Sequence, residues 1–166
     1  MDILILVTLG TQDKKFYRIL NEIERLIENG TIKDEVIVQA GFSSDYSSKY
    51  MKIFDLIPMD DFSKLISECD LLITHGGVGS IIDGLKNNKK VIAIPRLKKY
   101  NEHTNDHQIQ IVNNFSRSGY ILGLFDIYKL DKLIIKSKNF IPKKYTSNTK
   151  NMLKLYPKAK FGGWIY

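Results

Sequence analysis

The sequence predicts one doubly wound α/β domain, a parallel sheet covered by helices on both faces, and three observations predict it. Short apolar runs alternate with segments of helical periodicity. Glycine or proline follows several of those runs. The length of 166 residues with 43% hydrophobic content suits a single core, burying roughly two-thirds of the unfolded chain's surface.

The elements follow in order. Ile3 to Leu9 is a continuous apolar run of the kind expected for a strand buried on both faces, and Gly10-Thr11-Gln12 breaks it. Phe16, Ile19, Leu20, Ile23, Leu26 and Ile27 then recur at helical spacing, stopped by Asn29-Gly30. Val36 to Ala40 reads as a second strand, Ser43 to Ser48 as a loop, and Lys52 to Ile57 as a short third strand. Asp60 or Asp61 is expected to cap a helix that turns Phe62, Leu65 and Ile66 inward. Asp70 to Thr74 is the next strand and runs into His75-Gly76-Gly77-Val78-Gly79-Ser80. Ile81, Ile82 and Leu85 mark a helix ending at Asn87-Asn88, and Val91 to Ile94 is a strand stopped by Pro95. A polar loop from Arg96 to Thr104 leads to a helix carrying Ile109, Ile111, Val112 and Phe115. Tyr120 to Leu122 is a last short strand, and Ile127, Leu130, Leu133 and Ile134 a last helix. No internal repeat is visible. In such sheets ligands bind beyond the carboxyl ends of the strands, so the turns after Leu9 and Thr74 and the loop after Pro95 are expected to share one rim.

Composition narrows the class. The early apolar run is too short to cross a bilayer and has no positive segment before it, so neither a signal peptide nor a membrane span is read. Cys69 is the one cysteine, which removes a disulfide framework and points to a reducing cytoplasm; at the end of an apolar-patterned helix it reads as a small buried residue. The net charge of +7 is uneven: from Lys129 to Lys160 ten lysines face Asp131 alone, giving +9, so the remainder sums to −2. A basic tail on a near-neutral body suggests an anionic partner surface.

Thr74 to Ser80 carries the strongest chemical signal. A glycine-rich turn between strand and helix presents backbone N–H groups at the positive end of the helix dipole, which suits a diphosphate, and Ser80 adds a hydroxyl. The alternative is a tight turn alone, although Gly76, Gly77 and Gly79 exceed what one turn needs. A P-loop would need a lysine that Gly79-Ser80-Ile81 lacks, and the dinucleotide fingerprint would need glycine where Ile82 stands; ATP on a P-loop and NAD are therefore set aside. Asp83, one helical turn beyond Ser80, suits two ribose hydroxyls, or else is only a favourable charge near a helix start. Asn101, Glu102 and His103, then Asp106, His107 and Gln108, form a polar cluster suited to sugar hydroxyls, the alternative being an exposed, capped helix start. His103 and His107 are four apart but lack a third ligand, so no metal is assigned. Gly10-Thr11-Gln12 reads equally as a binding turn and a plain one.

Three segments in order resemble the C-terminal, donor-binding domain of glycosyltransferase family 28: Val7-Thr8-Leu9-Gly10-Thr11, Thr74-His75-Gly76-Gly77-Val78-Gly79-Ser80, and Asn105-Asp106-His107-Gln108. The similarity covers roughly residues 1–125 and implies a Rossmann-like sheet, the C-terminal half of a GT-B fold. Residues 126–166 are expected to add a helix and a basic tail whose lysines are interleaved with Phe140, Tyr145, Tyr156, Phe161, Trp164 and Tyr166. Because the donor domain begins at once, the chain is most similar to split members: the catalytic subunits of the dolichol-linked N-acetylglucosamine transferase and of capsule or exopolysaccharide galactosyl- or glucuronosyltransferases. In those a separate membrane-anchored protein supplies the acceptor half.

The resemblance implies a UDP-sugar donor, a lipid-linked saccharide acceptor, inverting transfer, no metal or other cofactor, and a location at the inner face of the membrane through the partner. By it, Gly10 and Thr11 approach the diphosphate or acceptor side, Val78, Gly79 and Ser80 hold the phosphates beside His75, Gly76 and Gly77, Asp83 stands where the family has a glutamate on the ribose, and His107 and Gln108 stand where it reads the sugar. Asp83 is one methylene shorter than that glutamate, and His107 replaces a residue often glutamine. The general base is not identified and is expected on the partner. Two rival readings are a nucleotide-sugar-binding regulatory module and a nucleic-acid binder; the lack of arginine beyond Arg117 argues against the second.

Overall fold

The computed structural model describes residues 3–147. The tail from residue 148 onward, including Tyr156, Phe161, Trp164 and Tyr166, lies outside the described residues. Among the described residues six strands form one parallel sheet: β1 (Leu4–Thr8), β2 (Glu35–Gln39), β3 (Lys52–Phe54), β4 (Leu71–His75), β5 (Lys90–Ile94) and β6 (Leu122–Gly123), in the order β3-β2-β1-β4-β5-β6. Val7 stands level with Val38 on one side and Ile73 on the other. The outer strands are short, three residues in β3 and two in β6.

Alternation along the central strands divides the interior into two layers. Ile5 and Val7 of β1, Ile73 of β4 and Ile92 of β5 face one layer, closed by α1 (Tyr17–Glu28) and α5 (Leu130–Ser137). Leu6, Leu72, Val91 and Ala93 face the other, under α2 (Met59–Glu68), α3 (Val78–Lys86) and α4 (His107–Arg117). Buried on both faces, these strands need no polar alternation, which is why they read as unbroken apolar runs. Helix α1 forms because Ile19, Leu20, Ile23 and Leu26 make one apolar stripe. It ends at Asn29, and Gly30 follows at φ +79°, a backbone region that glycine enters without strain.

Three local expectations need correction. Pro58, not an aspartate, precedes α2; Asp60 and Asp61 lie inside its first turn, where the dipole favours them. The last strand is Leu122–Gly123, because the chain first closes α4 through the Tyr120 N–H to the Phe115 carbonyl, and only then reaches β5. The third strand stops at Phe54 rather than Ile57; in the loop before it, the 3₁₀ turn Gly41–Ser43 places the buried Ser43 hydroxyl to accept the Phe16 N–H at 2.8 Å, which fixes the approach to α1. Cys69 is buried, and burial raises its thiol pKa to about 11. Among the described residues no helix is long and apolar enough to cross a membrane.

Candidate functional site

Strand order reverses between β1 and β4: the crossover from β1 leads to one flank of the sheet and that from β4 to the other. In such sheets this is where ligands bind, beyond the carboxyl ends of the strands. Three connections reach it: the turn from Leu9 to Phe16, the turn at Gly76 and Gly77, and the segment from Pro95 to Asp106.

His75, the last residue of β4, is fully buried and stands at the centre of the floor. A Cβ on Gly10 would lie 2.5 Å from its Nε2, and a Cβ on Gly77 would overlap its Cε1. Gly10 also sits at φ +74°. These two glycines therefore leave room for the imidazole as well as shaping turns. Gly76 lies closely against Gln108 and Val112.

Hydrogen-bond accounting fixes the proton on His75. The Arg96 backbone N–H donates to Gln108 Oε1 at 3.0 Å, so the amide of Gln108 must present its NH₂ group to His75 Nδ1, 3.3 Å away. Nδ1 is then an acceptor and Nε2 carries the proton, donated to Ser80 Oγ at 3.3 Å. With its oxygen lone pair so engaged, the Ser80 hydroxyl has its own proton free to donate away from the ring. Burial, with the Arg96 charge and then His103 adding to it, pushes the imidazole down to about 3, so it stays neutral.

Helix α3 starts at Val78 with Gly77 as its cap residue, and no side chain caps it. Val78, Gly79 and Ser80 are half-buried at that start. Their N–H groups belong to the first helical turn, which has no intrahelical acceptors, and they sit at the positive dipole end. Asp83 is exposed one turn further on, its carboxyl pKa raised by partial burial against the lowering effect of Lys86. Thr11 is exposed on the β1–α1 turn, where it borders a groove of about 420 Å³ together with Phe42, Asp45 and Leu56.

The third connection divides in two. Glu102 turns inward: it is 3% exposed, pairs with Arg18 at 3.0 Å and accepts the Leu97 N–H at 3.0 Å. Gln108 is buried in the His75 chain just described. Asn101 and His107 stay exposed and His103 is half-buried. Asn101, in the left-handed region at φ +55°, accepts from Lys14 Nζ at 3.4 Å. Asn105 Oδ1 accepts the His107 N–H at 3.0 Å and so closes the start of α4. His103 has a lowered pKa, from burial first and the Arg96 charge second. Among the described residues no three His, Cys, Asp or Glu side chains converge as a metal site. Of the fourteen residues singled out from the sequence, His75, Glu102 and Gln108 form the floor, Gly10, Thr11, Gly76, Gly77, Asn101 and His103 lie on the three connections, Val78, Gly79, Ser80 and His107 start the helices that follow, and Asp83 stands one turn into α3.

Arg96 escapes the sequence reading, which takes it as the start of a polar loop; it is 1% exposed. The one available signal is its place directly after a strand-ending proline. Its guanidinium lies over the Phe16 ring at 4.9 Å and donates to three backbone carbonyls, those of Leu9, Lys14 and Glu102.

Comparison with known proteins gives a consistent set. The family profile for the glycosyltransferase family 28 C-terminal domain matches residues 4–160. The chain is 29% identical over 150 residues to the UDP-N-acetylglucosamine transferase subunit ALG13 of Candida glabrata, covering 82% of this chain and 64% of that protein. With the protein of the same name from Debaryomyces hansenii it shares 30% identity over 116 residues, covering 62% of this chain and 52% of the relative. The chain thus spans less than two thirds of the length of either relative. Among solved structures it is similar to an NMR solution structure of ALG13, with a TM-score of 0.57, 20% identity and coverage of 92% and 94% of the two chains. It is also similar to MurG of Acinetobacter baumannii, with a TM-score of 0.59, 16% identity and coverage of 96% and 46%. At these identities the structural likeness is one of fold.

Proposed function

This chain belongs to the glycosyltransferase family 28 C-terminal domains, and from that premise we propose that it is the donor-binding subunit of a UDP-sugar-dependent inverting glycosyltransferase. The acceptor is a lipid-linked saccharide in capsule, exopolysaccharide or other glycan synthesis, held by a membrane-anchored partner at the inner face of the membrane. N-acetylglucosamine is the first sugar to test, because the relatives' names carry it, followed by galactose and glucuronic acid.

One observation carries this reading: the start of α3 has no side-chain cap, and there the Ser80 hydroxyl lies 3.3 Å from His75 Nε2, so that, accepting from the ring, it keeps its own proton to donate. That arrangement donates to an oxyanion. In the reaction the acceptor oxygen forms a bond to the anomeric carbon as the bond to the UDP oxygen breaks. The Val78 to Ser80 N–H groups and the Ser80 hydroxyl would receive the charge that develops on the diphosphate. Asp83 would take the ribose hydroxyls, with Gly10 and Thr11 on the diphosphate or acceptor side and Asn101, His103 and His107 beside the sugar. The general base would come from the partner.

Calorimetry with UDP and the three UDP-sugars, in excess chelator, tests this. Binding of UDP without metal is expected, because fixed donors neutralise the diphosphate. Binding seen only with magnesium or manganese, or no binding at all, would overturn it.

A further inference from the structure

We propose that Arg96 is a positioning residue, a clasp that locks the β1–α1 turn and the β5–α4 loop into one rigid wall of the nucleotide-sugar site. The three carbonyls it holds are not neighbours. Leu9 and Lys14 bracket the turn that contains Gly10 and Thr11, while Glu102 belongs to the loop that contains Asn101 and His103. One planar fork thus ties both ends of the first segment to the middle of the second, a geometry that the point charge of lysine reproduces poorly.

Simple core filling does not account for this residue. A buried cation on neutral carbonyls is costly, and an apolar side chain of similar volume would fill the space at lower cost. The Glu102 carboxylate is directed to Arg18 and to the Leu97 N–H rather than to Arg96. Arg96 Nε meets no acceptor among the described residues. Burial lowers the guanidinium pKa to about 10, with Glu102 opposing the shift, so the group remains a cation at neutral pH. What arginine supplies here is reach: donors spread across a plane, spanning two loops 82 and 6 residues away in sequence. The remaining turn of the rim, at Gly76 to Ser80, is tied differently. It connects through His75 and Gln108 to the backbone N–H of residue 96, a contact that survives any side-chain change there except proline.

That difference gives an internal control. The nucleotide arm of the test rests on the donor-site reading; the exchange arm does not. Hydrogen exchange is measured on the full chain, wild type, Arg96→Met and Arg96→Lys. In the wild type under a urea ramp, amides in 10–15 and 97–104 are expected to open together, separately from 76–81. In Arg96→Met both segments should exchange at least about tenfold faster, the loss of one or two buried hydrogen bonds, while 76–81 keeps its protection. Arg96→Lys should fall between. UDP affinity in Arg96→Met should drop about tenfold with uridine affinity unchanged, since the Gly10–Thr11 part of the wall is the part assigned to the diphosphate side.

Loosening of one segment only, of all three in step, or an unchanged preference for UDP over uridine in a folded variant would overturn the clasp. If wild type does not bind UDP, the donor reading falls and the exchange pattern still decides the clasp. If Arg96→Met does not fold, the wild-type ramp and Arg96→Lys decide it.

Discussion

Acidification should destabilise this protein through His75, and the size of the effect follows from its burial. The ordinary value for the imidazole is 6.5, and in the folded chain burial holds it down to about 3. Between those values the unfolded chain binds a proton that the folded chain refuses. Stability is therefore complete above about pH 6.5 and is lost progressively as pH falls toward the folded value, at up to about 1.4 kcal/mol per pH unit. From pH 7 to pH 5 the loss is about 2 kcal/mol, which for a chain of this size lowers Tm by about 4–8 °C. His75→Asn removes the titration. It should be less stable at pH 7 by about 1–3 kcal/mol, through lost packing beneath Gly10 and Gly77 and an unpaired Gln108 amide. Carboxylates and His103 titrate in both proteins, so the difference between the two Tm curves isolates His75. The gap should narrow as pH drops from 7 to 5. Parallel curves would refute the buried, neutral imidazole and with it the proton assignment that aims Ser80 outward.

Two further outcomes test the site and its context. Asp83→Ala should weaken UDP binding by about 1–3 kcal/mol with the fold intact, as expected for losing charge-assisted hydrogen bonds to ribose; equal affinities by calorimetry would reduce Asp83 to a surface charge on α3. The purified chain alone should transfer little labelled sugar to a lipid-linked acceptor, because both substrates must be held together for effective molarity to act. Adding the membrane-anchored partner should restore transfer, and removing residues 148–166 should weaken that association while sparing UDP affinity. Full turnover by the isolated chain would refute the split arrangement.

Most of the sheet was legible because parallel strands buried on both faces leave nothing polar to obscure them, as in Ile3 to Leu9 and Val91 to Ile94. The shared rim was legible too, since strands alternating with helices force their carboxyl-end turns together. What stayed hidden depends on contacts distant in sequence. Nothing near position 96 says that its guanidinium will meet Leu9 and Lys14, or that Glu102 will find Arg18. Charged residues in a loop read as solvated by default, and their burial becomes visible only when a partner 80 or more residues away is in place. The glycines carry a demand that is hidden for the same reason: turn geometry and ligand approach account for Gly10 and Gly77 in the sequence, while the buried ring between them makes a separate demand.

The brevity of the outermost strands bears on how this chain meets others. A sheet margin recruits foreign strands through its row of unpaired N–H and C=O groups. Among the described residues one margin is three residues long and opens with Lys52, ion-paired with Glu35 of the neighbouring strand, and the other is two. Neither provides enough ladder to seed end-on polymerisation, although the interior strands have the composition of aggregating peptides. Recruitment of a second chain is then expected through side-chain surfaces, so disrupting an assembly should require changes at helix faces, rim loops or the basic tail, and substitutions along β3 or β6 should leave it whole.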